Sequence, residues 1–222
     1  MNKAKHLLFA AGLSLAVSLF SCSTELAESS PPSSDSHSSS SGSDGSSGMF
    51  TDDRDGQTYK WVKIGSQTWM AENLNYDASG SVCYDNSSSN CRTYGRLYQW
   101  ATAMGVCPDG WHLPSDAEWD KLVNFAGGQN IAGTKLKAAG GWNYTGDLIF
   151  ICTDEFGFSA LPGGYGGSSS GFYEVGFRGN WWTATQNNAG EVYVRHMYYT
   201  GDFVNRRNDG QNLRYSVRCV QD

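Results

Sequence analysis

The chain has 222 residues, with 27 Gly against 5 Pro and 14% aromatic side chains. That composition suits short strands, tight turns and ring-rich surfaces and argues against a helical bundle. With 22 acidic against 16 basic side chains and a net charge of -6, it has no basic stripe to exchange for the counterions of a phosphate backbone, so nucleic acid is excluded as the expected partner.

Residues 1–21, MNKAKHLLFAAGLSLAVSLFS, read as a signal peptide: Lys3 and Lys5 form a cationic start, Leu7 to Phe20 an apolar run, and small Ser21 precedes Cys22. About 14 apolar residues rise only about 21 Å as a helix, short of a roughly 30 Å hydrocarbon core, so a spanning anchor is the poorer reading. Leu19-Phe20-Ser21-Cys22 resembles the bacterial lipobox, which implies that Cys22 is diacylated and begins the mature protein. Ser23 in place of Asp after it resembles the outer-membrane class of lipoproteins. Residues 22–54 are Ser-rich and carry too little apolar surface to offset conformational entropy, so they are expected to form a disordered tether with a span of about 30 Å. The expected location is the cell envelope, lipid-anchored at the outer membrane on its periplasmic or cell-surface face.

A folded domain is expected over 55–222. Thr58 to Leu74 alternates Tyr59, Trp61 and Lys63 against Val62 and Ile64 and turns at Gly65-Ser66, which predicts a hairpin. Leu97, Trp100, Ala101 and Met104 recur at helical spacing and predict a helix over 94–104. Ser115-Asp116-Ala117-Glu118 reads as a capping box, followed by the apolar stripe Trp119, Leu122, Val123 and Ala126 and the stop Gly127-Gly128. Beyond it the chain is rich in Gly and aromatics, with strands expected at WWTAT, over 191–199 and over 213–220. The fold class is α+β, with twisted antiparallel sheets and about two helices.

Six cysteines are present, and export places them where disulfides persist. Cys83 and Cys91 flank the turn formers YDNSSSN and are expected to pair. Cys107 is expected to pair with Cys219, tying the CPDGW segment to the last strand. Cys152 is left as a buried thiol beside Ile149 and Ile151. No zinc-ligand spacing appears, and no metal site is nominated.

The blocks DGQTYKWVKIGSQTWMAENLNY, CYDNSSSNCRTYGRLYQWATAM, CPDGWHLPSDAEW, AGTKLKAAGGW, TDEFGFSALPGGY, NWWTAT and SVRCVQD together resemble the Fibrobacter succinogenes major paralogous domain over 55–222. The resemblance implies secreted or lipid-anchored proteins of gut and rumen bacteria. HLPSDAEW is also similar to the RLPTEAEW-type motif of the formylglycine-generating enzyme family, which implies a C-type-lectin-like fold. His112 stands where those enzymes have Arg, and Cys219 is alone near the C-terminus where they need a pair of thiols, so their oxidase chemistry is not carried over.

Other motifs yield no catalytic constellation. Gly167-Ser168-Ser169-Ser170-Gly171 spells a nucleophile elbow, but the preceding LPGGYG reads as a loop and no helical stripe follows it. Asp116 and Glu118 are accounted for by helix capping, and Asp154-Glu155 lie in a turn near Gly157. Asn208-Asp209-Gly210 reads as a turn rather than a calcium loop. Trp181 and Trp182 are best explained as packing. What remains is a surplus of rings interleaved with arginines, the usual anchors of recognition surfaces; Tyr165, Phe172, Tyr173, Arg178, Tyr198, Tyr199 and Phe203 are the candidate ligand-binding residues. The expected function is a non-enzymatic binding or adhesion module without cofactor, whose ligand is a glycan or a surface protein. The alternatives are a formylglycine-generating-enzyme-like or polysaccharide-active enzyme, and a structural envelope protein.

Overall fold

The computed structural model describes residues 45–143, 152–169, 171–188 and 190–222. The leader, Cys22 and the tether up to residue 44 lie outside the described residues, as do Ile149, Ile151 and Ser170. The domain is mixed α+β, with few helices, largely antiparallel sheets and two disulfides.

A strand lies inside the stretch expected to form the tether. Ser47–Thr51 (β1) pairs antiparallel with Thr58–Ile64 (β2), Ser47 opposite Val62 and Thr51 opposite Thr58. The apolar anchor is Phe50, whose ring stacks 4.6 Å from that of Trp111. Composition hides one such ring in a polar run. The expected hairpin forms: β2 turns at Gly65-Ser66 into Gln67–Met70 (β3), with Ile64 opposite Gln67.

The helix expected over 94–104 does not form. Ser88–Tyr94 (α1) ends before Gly95, which has φ +75 and breaks the helical path. Leu97–Gln99 (β4) then runs extended, and Trp100–Ala103 (α2) adds a single turn. Leu97 is buried through sheet pairing while Met104 is exposed, so their helical spacing reflects no shared face.

After Trp111–His112 (β5), Asp116–Phe125 (α3) follows the sequence reading closely. Ser115 Oγ accepts from the Glu118 backbone N–H at 3.2 Å, and Glu118 Oε2 accepts from the Ser115 N–H at 2.7 Å. Trp119, Leu122, Val123 and Ala126 are buried. Asp116 does more than favour the helix dipole: its carboxylate takes Arg195 Nη2 at 2.5 Å and Arg206 Nε at 2.7 Å. A short Ala132–Leu136 helix (α4) follows, so the described residues hold four short α-helices and a single 3-10 turn at Tyr84–Asn86 where about two helices are expected.

The second half supplies Gly163–Gly166 (β6), Phe172–Val175 (β7), Arg178–Asn188 (β8), Glu191–Tyr198 (β9), Asn205–Gly210 (β10), Arg214–Ser216 (β11) and Val220–Gln221 (β12). One sheet has the order β1-β2-β3-β12-β5; the other runs β10-β9-β8-β11-β6-β7, with β4 also on β11. Three local readings are corrected here. The strand expected over 213–220 splits into β11 and β12, which join different sheets; LPGGYG contains strand β6; and Asn208-Asp209-Gly210 closes strand β10 instead of forming a turn. Pairing partners distant in sequence decide all three. Because β12 lies between β3 and β5, the two ends of the domain close on each other.

Trp181 and Trp182 are both fully buried, in two different cores. Alternation along β8 sends them to opposite faces. Trp181 joins Trp69, Trp119 and Phe158, and Trp182 joins Tyr98, Tyr215, Val217 and Cys219. Cys83 bonds Cys91 with a Cα separation of 5.0 Å, Cys107 bonds Cys219 with one of 6.0 Å, and Cys152 is a buried thiol.

The C-terminal residue is fastened through His112, whose Nδ1 lies 2.5 Å from Asp222 Oδ1 and whose Nε2 lies 2.9 Å from Glu118 Oε1. Burial opposes charge on the imidazole, but the hydrogen bonds and attraction of Asp222 and Glu118 outweigh it and raise His112 above 6.5. Burial likewise opposes charge on Glu118, while its bonds to Ser115 and His112 hold it below 4.5. The His112 contribution is complete below pH 6.5 and lost as pH rises through its raised folded value. The Glu118 contribution is complete above pH 4.5 and lost as pH falls through its lowered folded value. Thermal melts should therefore show His112→Gln furthest below wild type between about pH 4.5 and 6.5, the gap narrowing toward pH 8. A gap independent of pH would refute the assignment.

Candidate functional site

Alternation along β8 directs Arg178, Asn180 and Trp182 to one face of the larger sheet. Directly opposed residues of antiparallel strands share a face, so Tyr198, His196 and Val194 of β9 lie beside them, followed by Asn205 and Arg207 of β10. At the Trp182 end this face is core. At the Arg178 end it becomes polar and open, and the β6–β7 hairpin adds Tyr165 and Tyr173, whose rings lie 5.2 Å apart. That hairpin requires Gly164, which has φ +65; a Cβ there would meet Tyr173 O at 2.4 Å. Tyr173 and Tyr198 are exposed, and Tyr165 is half-buried.

Charges on this face come in matched pairs. Arg178 Nη1 lies 3.0 Å from Glu174 Oε2, and its guanidinium sits 6.0 Å over the Tyr198 ring. Arg207 Nε lies 2.7 Å from Asp209 Oδ2, and its Nη2 donates to Tyr215 Oη at 3.0 Å; Tyr215 Oη in turn donates to Asp209 Oδ2 at 2.8 Å. Between the two arginines stands His196, which burial, reinforced by Arg178 and Arg207, pushes down to about 3; it is neutral at physiological pH. Burial also raises the Tyr165 hydroxyl above its usual value. Asn180 is fully buried and donates Nδ2 to Gly164 O at 3.2 Å, while its Oδ1, His196 Nδ1 and Arg178 Nε have no hydrogen-bond partner.

Of the seven nominated residues, Tyr165, Tyr173, Arg178 and Tyr198 come together here. Phe172 alternates away from Tyr173 and its ring lies tilted 5.2 Å from that of Tyr84, within the Cys83–Cys91 loop. Tyr199 packs against the Trp181 core and meets Phe177 at 5.2 Å. Phe203 is exposed on the β9–β10 connection. Asn180, His196, Asn205 and Glu174 were not among the sequence candidates. The period-2 pattern of RGNWW against EVYVRHMY could have placed Asn180 and His196 beside Arg178 and Tyr198; the outward turn of Glu174 depends on its φ of +63.

Elsewhere the chemistry is consumed by structure. The Gly167 to Gly171 segment joins strand β6 to strand β7, so no helix follows it and no nucleophile elbow forms. Asp154 accepts from Ser159 N–H at 2.7 Å and Oγ at 2.6 Å, and Glu155 pairs with Lys135 at 3.1 Å. An open groove of about 870 Å³ borders β2, Asn73, Tyr94 and Phe156. Its Asn73 is spent as an internal hub: Oδ1 accepts from Trp181 Nε1 and from Arg218, and Nδ2 donates to Tyr94 O. Among the described residues no group of three His, Cys, Asp or Glu could hold a metal ion. Cys219 is locked to Cys107, so the pair of thiols that formylglycine chemistry requires is not assembled among them.

A family model described as the Fibrobacter succinogenes major domain matches residues 62–221, taking in both disulfides and the whole of this sheet face. Neither a curated protein nor a solved structure matches the chain. By the extent of that match, the chain belongs to the Fibrobacter succinogenes major domain family.

Proposed function

We propose that this protein is a cell-envelope lipoprotein, anchored through Cys22 at the outer membrane, that displays a non-enzymatic binding or adhesion module for a glycan or a surface protein. The observation that carries the binding reading is the open end of the β8–β9 face, where the exposed rings of Tyr173 and Tyr198 lie beside Tyr165 and the Arg178–Glu174 pair. Rings with a polar edge beside planar guanidinium donors are the residue types that recognition surfaces use. The anchor reading rests on the leader and Ser21-Cys22, and a domain braced by two disulfides is consistent with export. We read the fold as C-type-lectin-like, in keeping with HLPSDAEW and with the meeting of the chain's ends at β12.

The test is a panel of immobilised glycans and purified envelope proteins probed with the full chain and with a Tyr173→Ser/Tyr198→Ser double variant. Both rings are exposed, so the double variant should fold. Loss of at least about tenfold in affinity, roughly 1.4 kcal/mol, is the expected result. Equal binding by the two proteins would move the site elsewhere.

A further inference from the structure

We infer that the β8–β9 face takes an uncharged saccharide, stacked on Tyr173 and Tyr198 and held through its hydroxyls without a bridging cation. This rests on the binding reading above and narrows it to one ligand class. The argument is one of charge. Arg178 already has Glu174 at 3.0 Å and Arg207 already has Asp209 at 2.7 Å. An anion approaching either guanidinium would have to displace or face a carboxylate, and a cation approaching either carboxylate would face a guanidinium. Neither sign of ligand gains from the field of a matched pair.

A hydroxyl group donates and accepts at once, so it suits both members of each pair. Neutral His196 adds no charge of its own. The exposed rings supply the apolar half of the match, since a sugar ring presents C–H groups on one face and hydroxyls at its edge. Among the described residues the acidic groups here, Glu174 and Asp209, belong to no cluster able to hold a cation.

Calorimetry on the full chain with neutral oligomers of β-glucan, xylan and mannan, and with oligogalacturonate and a sulfated oligosaccharide, tests this. The expected result is binding of at least one neutral oligomer, insensitive to chelator and to salt, and weakened at least about tenfold by Tyr173→Ser. Glu174→Gln is a second variant: unpairing Arg178 should gain affinity for oligogalacturonate. Binding only of the charged oligomers, or binding abolished by chelator, overturns the neutral-saccharide inference while leaving a binding module in place. Neutral binding unaffected by Tyr173→Ser overturns the site. If no saccharide binds but an envelope protein in the panel does, the inference fails alone; if nothing binds, both fail.

Discussion

Cys219→Ser is expected to lower the free energy of unfolding by about 2 to 5 kcal/mol and to impair folding. The bond to Cys107 spans a sequence separation of 112, and closing so long a loop restricts the unfolded chain by about 5 kcal/mol in the chain-entropy model. Cys219 is also fully buried against Trp182 and Tyr215, so a serine hydroxyl there loses water as well. Cys107→Ser separates the two effects, because it removes the cross-link and leaves Cys219 as an apolar thiol. It should therefore cost somewhat less than Cys219→Ser. Cys83–Cys91 closes a loop of sequence separation 8 and should contribute only about 2 to 3 kcal/mol. Cys152→Ser should cost less than either. Urea unfolding of these three variants and of Cys83→Ser decides the order, and a Cys107→Ser protein within about 1 kcal/mol of wild type would remove the closure from the account of stability.

Arg218→Met is expected to destabilise by about 3 to 5 kcal/mol, even though it removes a charge from the interior. Arg218 is fully buried, and its guanidinium is spread over neutral acceptors. Nε and Nη2 donate to Asn73 Oδ1 at 3.0 and 2.7 Å; Nη1 donates to Met70 O at 3.3 Å and to Phe158 O; Nη2 reaches Ser159 O at 3.4 Å. The plane also lies 4.6 Å from the Phe158 ring. Burial pushes the group down to about 9, which leaves it protonated at neutral pH. Methionine fills similar volume but leaves the carbonyls of Met70, Phe158 and Ser159 unsatisfied in one stroke, and orphaned acceptors cost more than the mean hydrogen bond gains. Arg218→Lys should recover only part of the loss, because an ammonium cannot span the fork. Chemical denaturation with tryptophan fluorescence reports on the adjoining Trp181, and near-wild-type stability of the methionine variant would show that the hub is dispensable.

Local signals carried much of this fold. The capping box at Ser115, the apolar stripe of α3, the turn at Gly65-Ser66 and the pairing of Cys83 with Cys91 depend on residues within about one helical turn or one hairpin, and each formed as expected. Readings failed where one residue's role depended on distant partners. Phe50 orders β1 only because Trp111 is there to stack on, and Leu97 is a strand residue only because β11 lies beside it. Helical spacing over 94–104 had no means of registering that.

The same division runs through the candidate site. The sequence by itself determined the leader pattern, the cysteine framework and the surplus of aromatic residues and arginines. Only the tertiary structure decided which rings share a face. Adjacent strand residues point to opposite sides, so Tyr173 entered the site and Phe172 left it for Tyr84. Strand order then brought Arg178, Asn180, His196 and Tyr198 together, and the pairing of each arginine with its own carboxylate set the site's net charge. Composition counts charges; it does not say which of them are already neutralised, because that depends on distances of about 3 Å that only the packed chain fixes.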